Sequence, residues 1–395
     1  MSAVSGAPAR IEELESLRGL AALLVVLYHL PKWHPVLDLP IINNGYLMVE
    51  LFFVLSGFVI FNAYAGRIAN GRDLLRFQFL RLGRLYPVHL VFLFAFVLIE
   101  LAKYLAVTRL GMASPNGIVP FSVNNLDAFI KQLLLVSSAL PHQPQTYNVP
   151  AWSISVEFYT YLVFGLCALY GGRGRTPLCA LLAAAALGLL ATGSGAGFET
   201  LLRCFAGFFI GCLTAAATGA GAPARGAAHT EHAAHAARAA RAILPGIVPL
   251  AAFAALLAFL HLKRDPAQDL WIYFLTAALI AALVRSGPGA LKAVLNLRGL
   301  TWLGAISYLV YMSHAAIEWV ANQAVRHVLR RPEAPGPDGA STPQLSAPEA
   351  LLVSAAVVAC VLLVSALVYR WVEQPWRERS RRFAFGRWPQ AGVKH

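Results

Sequence analysis

Long apolar stretches separated by short polar segments dominate the chain from residue 14 to residue 371. A membrane-spanning helix needs about 20 predominantly apolar residues. On that scale the pattern predicts ten spans, at 14–31, 46–65, 85–105, 152–171, 176–193, 199–218, 243–262, 269–286, 299–322 and 349–371. The predicted fold class is therefore all-α, a polytopic transmembrane helical bundle. Residues 1–376 would form one membrane domain and 377–395 a basic cytoplasmic tail.

The distribution of Lys and Arg predicts the orientation of this bundle. If the N-terminus is cytoplasmic, 22 of the 32 Lys and Arg residues fall on the cytoplasmic side, nine fall on the other side, and Arg203 lies within a span. Basic residues are enriched in cytoplasmic loops, so both termini are predicted to be cytoplasmic. No basic region precedes the first apolar run, which argues against a cleavable signal peptide.

Composition excludes several classes of protein. The chain is 58% hydrophobic and 13% charged, whereas soluble domains carry about 25% charged residues. Its net charge of +13 belongs to the loops between spans, and no folded basic module remains to bind nucleic acid. The five cysteines lie in or beside apolar runs, where packing is a better explanation than a disulfide framework.

Three connections between spans have distinctive compositions. Residues 106–150 form the longest outer connection, and within it 126–140 has helical apolar spacing with Asn125 as a candidate N-cap. That helix could be an interfacial lid over a site or a short packing helix. Residues 331–347 are rich in proline and predict a disordered outer loop.

The segment 219–242 is rich in alanine and glycine and carries His229, His232 and His235. Their spacing of three raises the question of a metal site. Only Glu231 is at hand as a further ligand and no thiol is present, so we interpret the segment as a cytoplasmic linker and expect no metal.

Ionisable residues inside spans are costly and therefore suggest function. The candidates are Arg18, His29, Glu50, Glu100, Glu157, Arg203, His314 and Glu318. Arg18 and His29 are eleven residues apart, which places them on one helix face about 16 Å apart along the axis. The alternative is a snorkelling arginine and an interfacial histidine.

Further polar residues are expected at the depth of His29. Under the predicted topology Glu50, Ser153 and Glu157 lie near the outer ends of their spans. Trp152 directly precedes Ser153. A carboxylate beside His29 would orient its imidazole as a general base. The spacing leaves open which of the two carboxylates takes that position.

Arginines cluster on the inner side before the third span. Arg81 and Arg84 are three residues apart, so both can face one ligand. Their guanidinium groups match phosphate oxygens. A topology signal or a contact with anionic lipid is the alternative. His314 and Glu318 are four apart in the ninth span and share a face.

Six short motifs stand in order along the chain. They are ESLRGLA through YH (15–29), GYLMVELFFVLSGF (45–58), RLGRLYP (81–87), WSISVE (152–157), SYLVYMSH (307–314) and YRWVEQP (369–375). Together they resemble the acyltransferase-3 family of integral membrane O-acyltransferases over most of the chain. The family more often has aspartate where Glu50 stands.

The resemblance implies a cytoplasmic acyl-CoA as co-substrate and no permanently bound cofactor. Acetyl-CoA is the acyl-CoA that the resemblance to the family favours. The acceptor would be a hydroxyl of a glycan, a lipid-linked sugar or a small metabolite, and the location a bacterial inner membrane. Only a short basic tail follows residue 371, so we expect the form of the family that lacks an extra outer domain.

The implied site combines the residues above. His29 would act with Glu157 or Glu50 in catalysis, either as a base or by carrying the acyl group. Arg18, Arg81 and Arg84 would bind acyl-CoA. Residues that contact substrate or support the catalytic groups would be Trp152, Ser153, Tyr86, His314 and Glu373.

Two other functions use the same residues differently. In a proton-coupled transporter of a sugar-like or drug-like solute, the buried His and Glu residues would relay protons. Transporters often show internal repeats, and none is evident between the halves. A non-catalytic membrane assembly subunit would leave His29, Glu157 and the arginine pair without a task.

Overall fold

The computed structural model describes residues 11–112, 118–219, 244–335 and 341–387. Within these ranges the chain is almost entirely helical, which confirms the predicted all-α class. The β-structure named there is one antiparallel pair, β1 (Glu333–Pro335) and β2 (Ser341–Pro343), with Ala334 opposite Thr342. This hairpin lies in the connection predicted to be disordered, so the prediction was wrong for its described part.

Ten helices correspond in order to the ten predicted spans. They are α1 (Glu12–His29), α3 (Met48–Tyr64), α4 (Gly71–Leu110), α6 (Trp152–Tyr170), α7 (Arg175–Ala191), α8 (Glu199–Thr218), α9 (Ile247–Leu262), α10 (Trp271–Arg285), α12 (Arg298–His327) and α13 (Ala347–Val368). The remaining helices are α2 (Pro40–Asn43), α5 (Leu126–Leu133), α11 (Ala290–Leu295) and α14 (Gln374–Arg387).

Eight of the ten helices, with their adjoining turns, are long and apolar enough to cross a membrane. The other two have identifiable reasons for falling short. Helix α1 carries Glu12, Glu13, Glu15 and Arg18 in its first two turns. Helix α9 is apolar but has 16 residues, which is just under the length that a span typically needs.

Helix α4 differs most from its predicted span. It starts at Gly71 and runs for 40 residues, because Asn70 caps its N-terminus by accepting a hydrogen bond from the Asp73 backbone N–H. The arginines placed in a loop before the third span are therefore helical. At 1.5 Å per residue the helix is about 60 Å long, so it extends beyond the hydrocarbon layer.

Glycines allow the central helices to approach closely. A Cβ atom on Gly57 of α3 would lie 1.8 Å from the Phe208 carbonyl oxygen of α8, and one on Gly211 would lie 2.1 Å from the Val54 oxygen. Gly304 of α12 meets the Glu15 carbonyl of α1 in the same way. Small residues at such crossings are typical of membrane helix packing. These glycines thus bring α3 against α8 and α12 against α1.

The outer connection contains the predicted helix. Asn125 accepts from the Ala128 N–H and caps α5, as the spacing indicated. Tyr86 of α4 donates to the Leu133 carbonyl at 2.9 Å, and His89 bonds the Gln132 carbonyl at the same distance. These contacts fasten α5 to α4. The lid function stays a prediction.

The predicted basic tail begins as a continuation of the last span. A π-helical turn at Tyr369–Glu373 leads from α13 into α14, and α14 packs along the first half of α4. There Phe383 lies 5.3 Å from Phe79 between ring centroids, and Gly83 leaves room for Ser380. The linker histidines 229, 232 and 235 lie outside the described residues.

Candidate active site

His29 is the last residue of α1, and its ring is exposed. Its Nδ1 lies 3.0 Å from the Val25 carbonyl oxygen one turn earlier. A carbonyl oxygen only accepts, so in this contact Nδ1 carries the hydrogen and Nε2 presents its lone pair. The geometry therefore assigns the basic nitrogen of His29 to Nε2.

The ring of His314 in α12 lies 4.8 Å from that of His29 between centroids. His314 is fully buried, and neither of its ring nitrogens makes a hydrogen bond within the described part of the chain. The exposed ring of His29 thus lies beside the fully buried ring of His314. We call the position of these two rings the His29 recess. Glu318, one turn further along α12, is also buried, and its Oε1 has no partner among the described residues.

Glu50 makes no hydrogen bond with His29 within the described residues, and its role as the carboxylate that orients the imidazole stays a prediction. Its Oε1 accepts a hydrogen bond from Arg203 Nε at 2.6 Å and forms an ion pair with the same guanidinium. That guanidinium lies over the Trp152 ring, 4.8 Å from its centroid. Packing of α3 against α8 thus brings together the acid and the arginine that the sequence left unpaired.

Glu157 faces a different part of the bundle from His29. Ser56 and Tyr161 each donate to its Oε1 at 2.6 Å, and the two hydroxyls lie 2.9 Å apart. Glu157 also interacts electrostatically with Arg18 and Arg84. Glu157 thus lies near Arg18 and Arg84 without forming an ion pair with either. Its role as the carboxylate that orients His29 stays a prediction.

Arg18 and Arg84 are half-buried. Neither makes a hydrogen bond or an ion pair with any residue that the structure describes, and the Nε of Arg18 is buried without a partner. They interact electrostatically with each other across α1 and α4. Two unpaired guanidinium groups so close together repel each other, and an anion between them would remove that repulsion.

Arg81 has a different environment from Arg84. Its guanidinium donates to the Tyr64 hydroxyl at 3.2 Å and lies over the Tyr64 ring at 5.3 Å. Phe77 contributes a second aromatic face at 5.9 Å. The aromatic faces fix the direction of Arg81 and leave donors free for a ligand.

Three more predicted residues have structural partners. Ser153 donates to the Pro150 carbonyl at 3.2 Å, and the Tyr86 bond to α5 is given above. Glu373 is buried in the π-helical turn and accepts from Arg377 at 3.1 Å, while its Oε2 has no partner among described residues. Glu373 also interacts electrostatically with Arg84. Of these three, only Glu373 reaches the arginine cluster.

Sequence reasoning missed several members of this cluster. Tyr161 stands four residues after Glu157, a spacing that could have revealed a shared face. Ser56 comes from α3, and no spacing links it to Glu157. Arg377 lies in α14, in the segment predicted to be a tail, yet it interacts electrostatically with Arg84.

Two known proteins are similar to part of this chain. A Streptomyces mycarofaciens protein named acyltransferase MdmB is 37% identical over 173 residues, which is 40% of this chain and 40% of that protein. A Rhizobium radiobacter protein named protein 2 in picA locus is 34% identical over 113 residues, 27% of this chain and 53% of that protein. The chain thus spans about half or less of these relatives.

No solved structure matches the chain. The Acyl_transf_3 family, described as an acyltransferase domain, matches residues 11–370. The match includes five of the six sequence motifs, the start of the sixth, the His29 recess, and Arg18, Arg81 and Arg84 of the arginine cluster. The chain therefore belongs to the acyltransferase-3 family of membrane acyltransferases.

Proposed function

We propose that this protein is a membrane O-acyltransferase that moves an acyl group, by default acetyl, from cytoplasmic acyl-CoA to a hydroxyl. The acceptor would be a glycan, a lipid-linked sugar or a small metabolite, and the location the inner membrane of a bacterium. The observation that carries the proposal is the unpaired state of Arg18 and Arg84, half-buried beside Glu157 and Tyr161.

The arginine cluster suits the phosphates of CoA. Arg18 and Arg84 have free donors, Arg81 is held by aromatic faces, and Arg377 adds a fourth guanidinium. Glu157 and Glu373 lie near these four guanidinium groups, so the half-buried site keeps an excess of positive charge. A polyanionic ligand would neutralise that excess, whereas a neutral solute would leave it in place.

The geometry of α1 relates this cluster to His29. Arg18 and His29 share one face of the helix about 16 Å apart. The extended pantetheine arm of CoA could run along that face, with its phosphates at the arginines and its thioester at the histidine. Helix α1 would then set the distance between the arginine that binds the CoA phosphates and the histidine at which the acyl group is transferred.

At His29 the reaction would be a direct transfer or proceed through an acyl-enzyme. In direct transfer, Nε2 takes the proton of the acceptor hydroxyl while the oxygen attacks the thioester carbonyl carbon. The carbon–sulfur bond breaks, and the imidazolium returns the proton to the departing CoA thiolate. In the alternative, Nε2 attacks the thioester carbonyl carbon and the CoA thiolate leaves. The acceptor oxygen then attacks the acyl carbon, the bond to Nε2 breaks, and the hydroxyl proton passes to the CoA thiolate.

The test uses purified full-length protein in nanodiscs with labelled acetyl-CoA and a panel of glycans. We expect CoA release and label transfer by the wild-type protein, and loss of both in His29→Ala. His34→Ala is the matched control, because His34 is half-buried and its side chain only accepts a hydrogen bond from the Val36 backbone N–H. Proton-driven solute uptake without CoA turnover would instead support a transporter and overturn the proposal.

A further inference from the structure

A cavity opens near the His29 end of the bundle. Its volume is ≈ 220 Å³, and the residues relevant here are Glu50, Ala191, Arg203, Ala267, Asp269 and Tyr273. Ala191 ends α7, while Glu50, Arg203 and Tyr273 lie in the first two turns of α3, α8 and α10. Because α1 and α7 end here and the other three helices start here, the cavity lies at the same end of the bundle as His29.

Glu50 is the most buried charged residue of this cavity. Its side chain is 3% exposed, and its Oε2 has no hydrogen-bond partner among the described residues, although Arg203 satisfies Oε1. A buried carboxylate oxygen without a donor is costly. Glu50 thus has capacity for a donor that the chain does not supply.

The charges around the cavity are balanced. Glu50 pairs with Arg203, and Asp269 pairs with Lys263 at 2.7 Å while accepting from the Tyr46 hydroxyl at 2.9 Å. Each carboxylate therefore has its own cation. A charged ligand would disturb this balance, whereas a neutral ligand with several hydroxyls could donate to the carboxylates and accept from the guanidinium.

Aromatic rings connect the cavity with His29. Tyr46, bonded to Asp269, lies 5.7 Å from Tyr28 between ring centroids, and Tyr28 lies 4.8 Å from His29. A molecule that extends from the cavity past Tyr46 and Tyr28 would reach the His29 recess. The cavity is thus placed to hold one part of a substrate whose reacting group lies elsewhere.

We propose that this cavity binds one neutral, hydroxyl-rich ring of the acceptor, such as a single sugar residue. This inference rests on the proposed function and adds a recognition site to it. The volume lies below the roughly 300–1,000 Å³ of pockets for drug-sized ligands, so the occupant is one small ring. Glu50 and Arg203, which do not touch His29, gain a role in acceptor recognition.

The experiment measures binding directly and needs no acyl transfer. Saturation-transfer NMR on the full chain in nanodiscs uses the methyl glycosides of glucose, galactose and mannose as probes. We expect at least one to bind the wild-type protein, and Ala191→Trp, which fills the cavity, to weaken binding by about tenfold or more. Ala185→Trp is the matched control, because Ala185 is exposed on the same helix and does not line the cavity.

Three outcomes would overturn the proposal. They are no binding by any probe, equal binding by the Ala191→Trp and Ala185→Trp variants, and much tighter binding of glucosamine or gluconate than of the methyl glycosides. The last outcome would show a site for an ion. His29→Ala is expected to keep sugar binding, so a failure of acyl transfer is distinguishable from a failure of this site.

Discussion

The imidazole of His29 lies 4.8 Å from that of His314, and only one of the two rings is exposed. The contact joins the end of α1 to the middle of α12. His29 is anchored through Nδ1 to the Val25 carbonyl, while His314 packs against it without a hydrogen bond within the described chain. The buried ring thus limits the rotation of the exposed one.

We expect His314→Asn to lower kcat for acetyl transfer by about tenfold while leaving KM for acetyl-CoA unchanged. The smaller side chain frees the His29 ring to turn, which costs orientation at the reacting centre and leaves donor binding intact. Steady-state kinetics at varied acetyl-CoA measure both constants. His327→Asn, at the exposed end of the same helix, is the control, and a rise in KM alone would contradict the role.

Arg84→Gln should raise the Kd for CoA by about ten- to a hundredfold, because a charged hydrogen bond contributes about 1.5–3 kcal/mol. Titration calorimetry in nanodiscs measures the Kd without any acceptor. Arg72→Gln removes the same charge from an exposed position on the same helix and should change the Kd little. Equal effects of the two variants would reduce Arg84 to a topology signal.

Tyr161→Phe removes one of the two hydroxyl donors to Glu157. We expect kcat/KM to fall by about tenfold, since a carboxylate that loses a hydrogen bond shifts in position and in charge distribution. Tyr159→Phe is the control, because Tyr159 is half-buried and donates to the Leu134 carbonyl, not to Glu157. An unchanged kcat/KM for Tyr161→Phe would remove the Glu157 cluster from the reaction.

Gly57→Ala should lower stability by about 1–3 kcal/mol, because the added Cβ forces α3 away from the α8 backbone. Thermal unfolding in detergent, followed by tryptophan fluorescence, measures the loss. Gly66→Ala is the matched control, since a Cβ at that position meets no atom within 4 Å. If both variants unfold at the wild-type temperature, the close crossing of α3 and α8 is not a feature of the folded protein.

Most of the helices could be predicted because a helix that crosses the lipid needs a run of about 20 predominantly apolar residues. The start of α4 differs most from the predicted start of its span. The Asn70 cap begins the helix at Gly71, so the helix includes a basic segment that the apolar pattern does not cover. The strand pair at 333–335 and 341–343 was missed because short strands pair through the backbone, which composition does not reveal.

The site was predictable within single helices and not between them. Arg18 and His29 share a face because α1 is regular, and Arg81 and Arg84 lie together because α4 is regular. The partners of Glu50 and Glu157 come from α8 and from α3, so they depend on which helices touch. Similar depth in the membrane suggested that one of the two carboxylates lies beside His29, but depth does not specify the direction in which a side chain points.

The order of apolar and polar residues along this chain was enough to establish an all-helical membrane protein with its costly charges in a few helices. Helix packing alone decided that Arg203 neutralises Glu50, that Glu157 faces the arginines, and that His314 is the neighbour of His29. The physical reason is that helical periodicity acts over a few residues. Contacts between residues more than a hundred positions apart follow from which small residues let two helices approach.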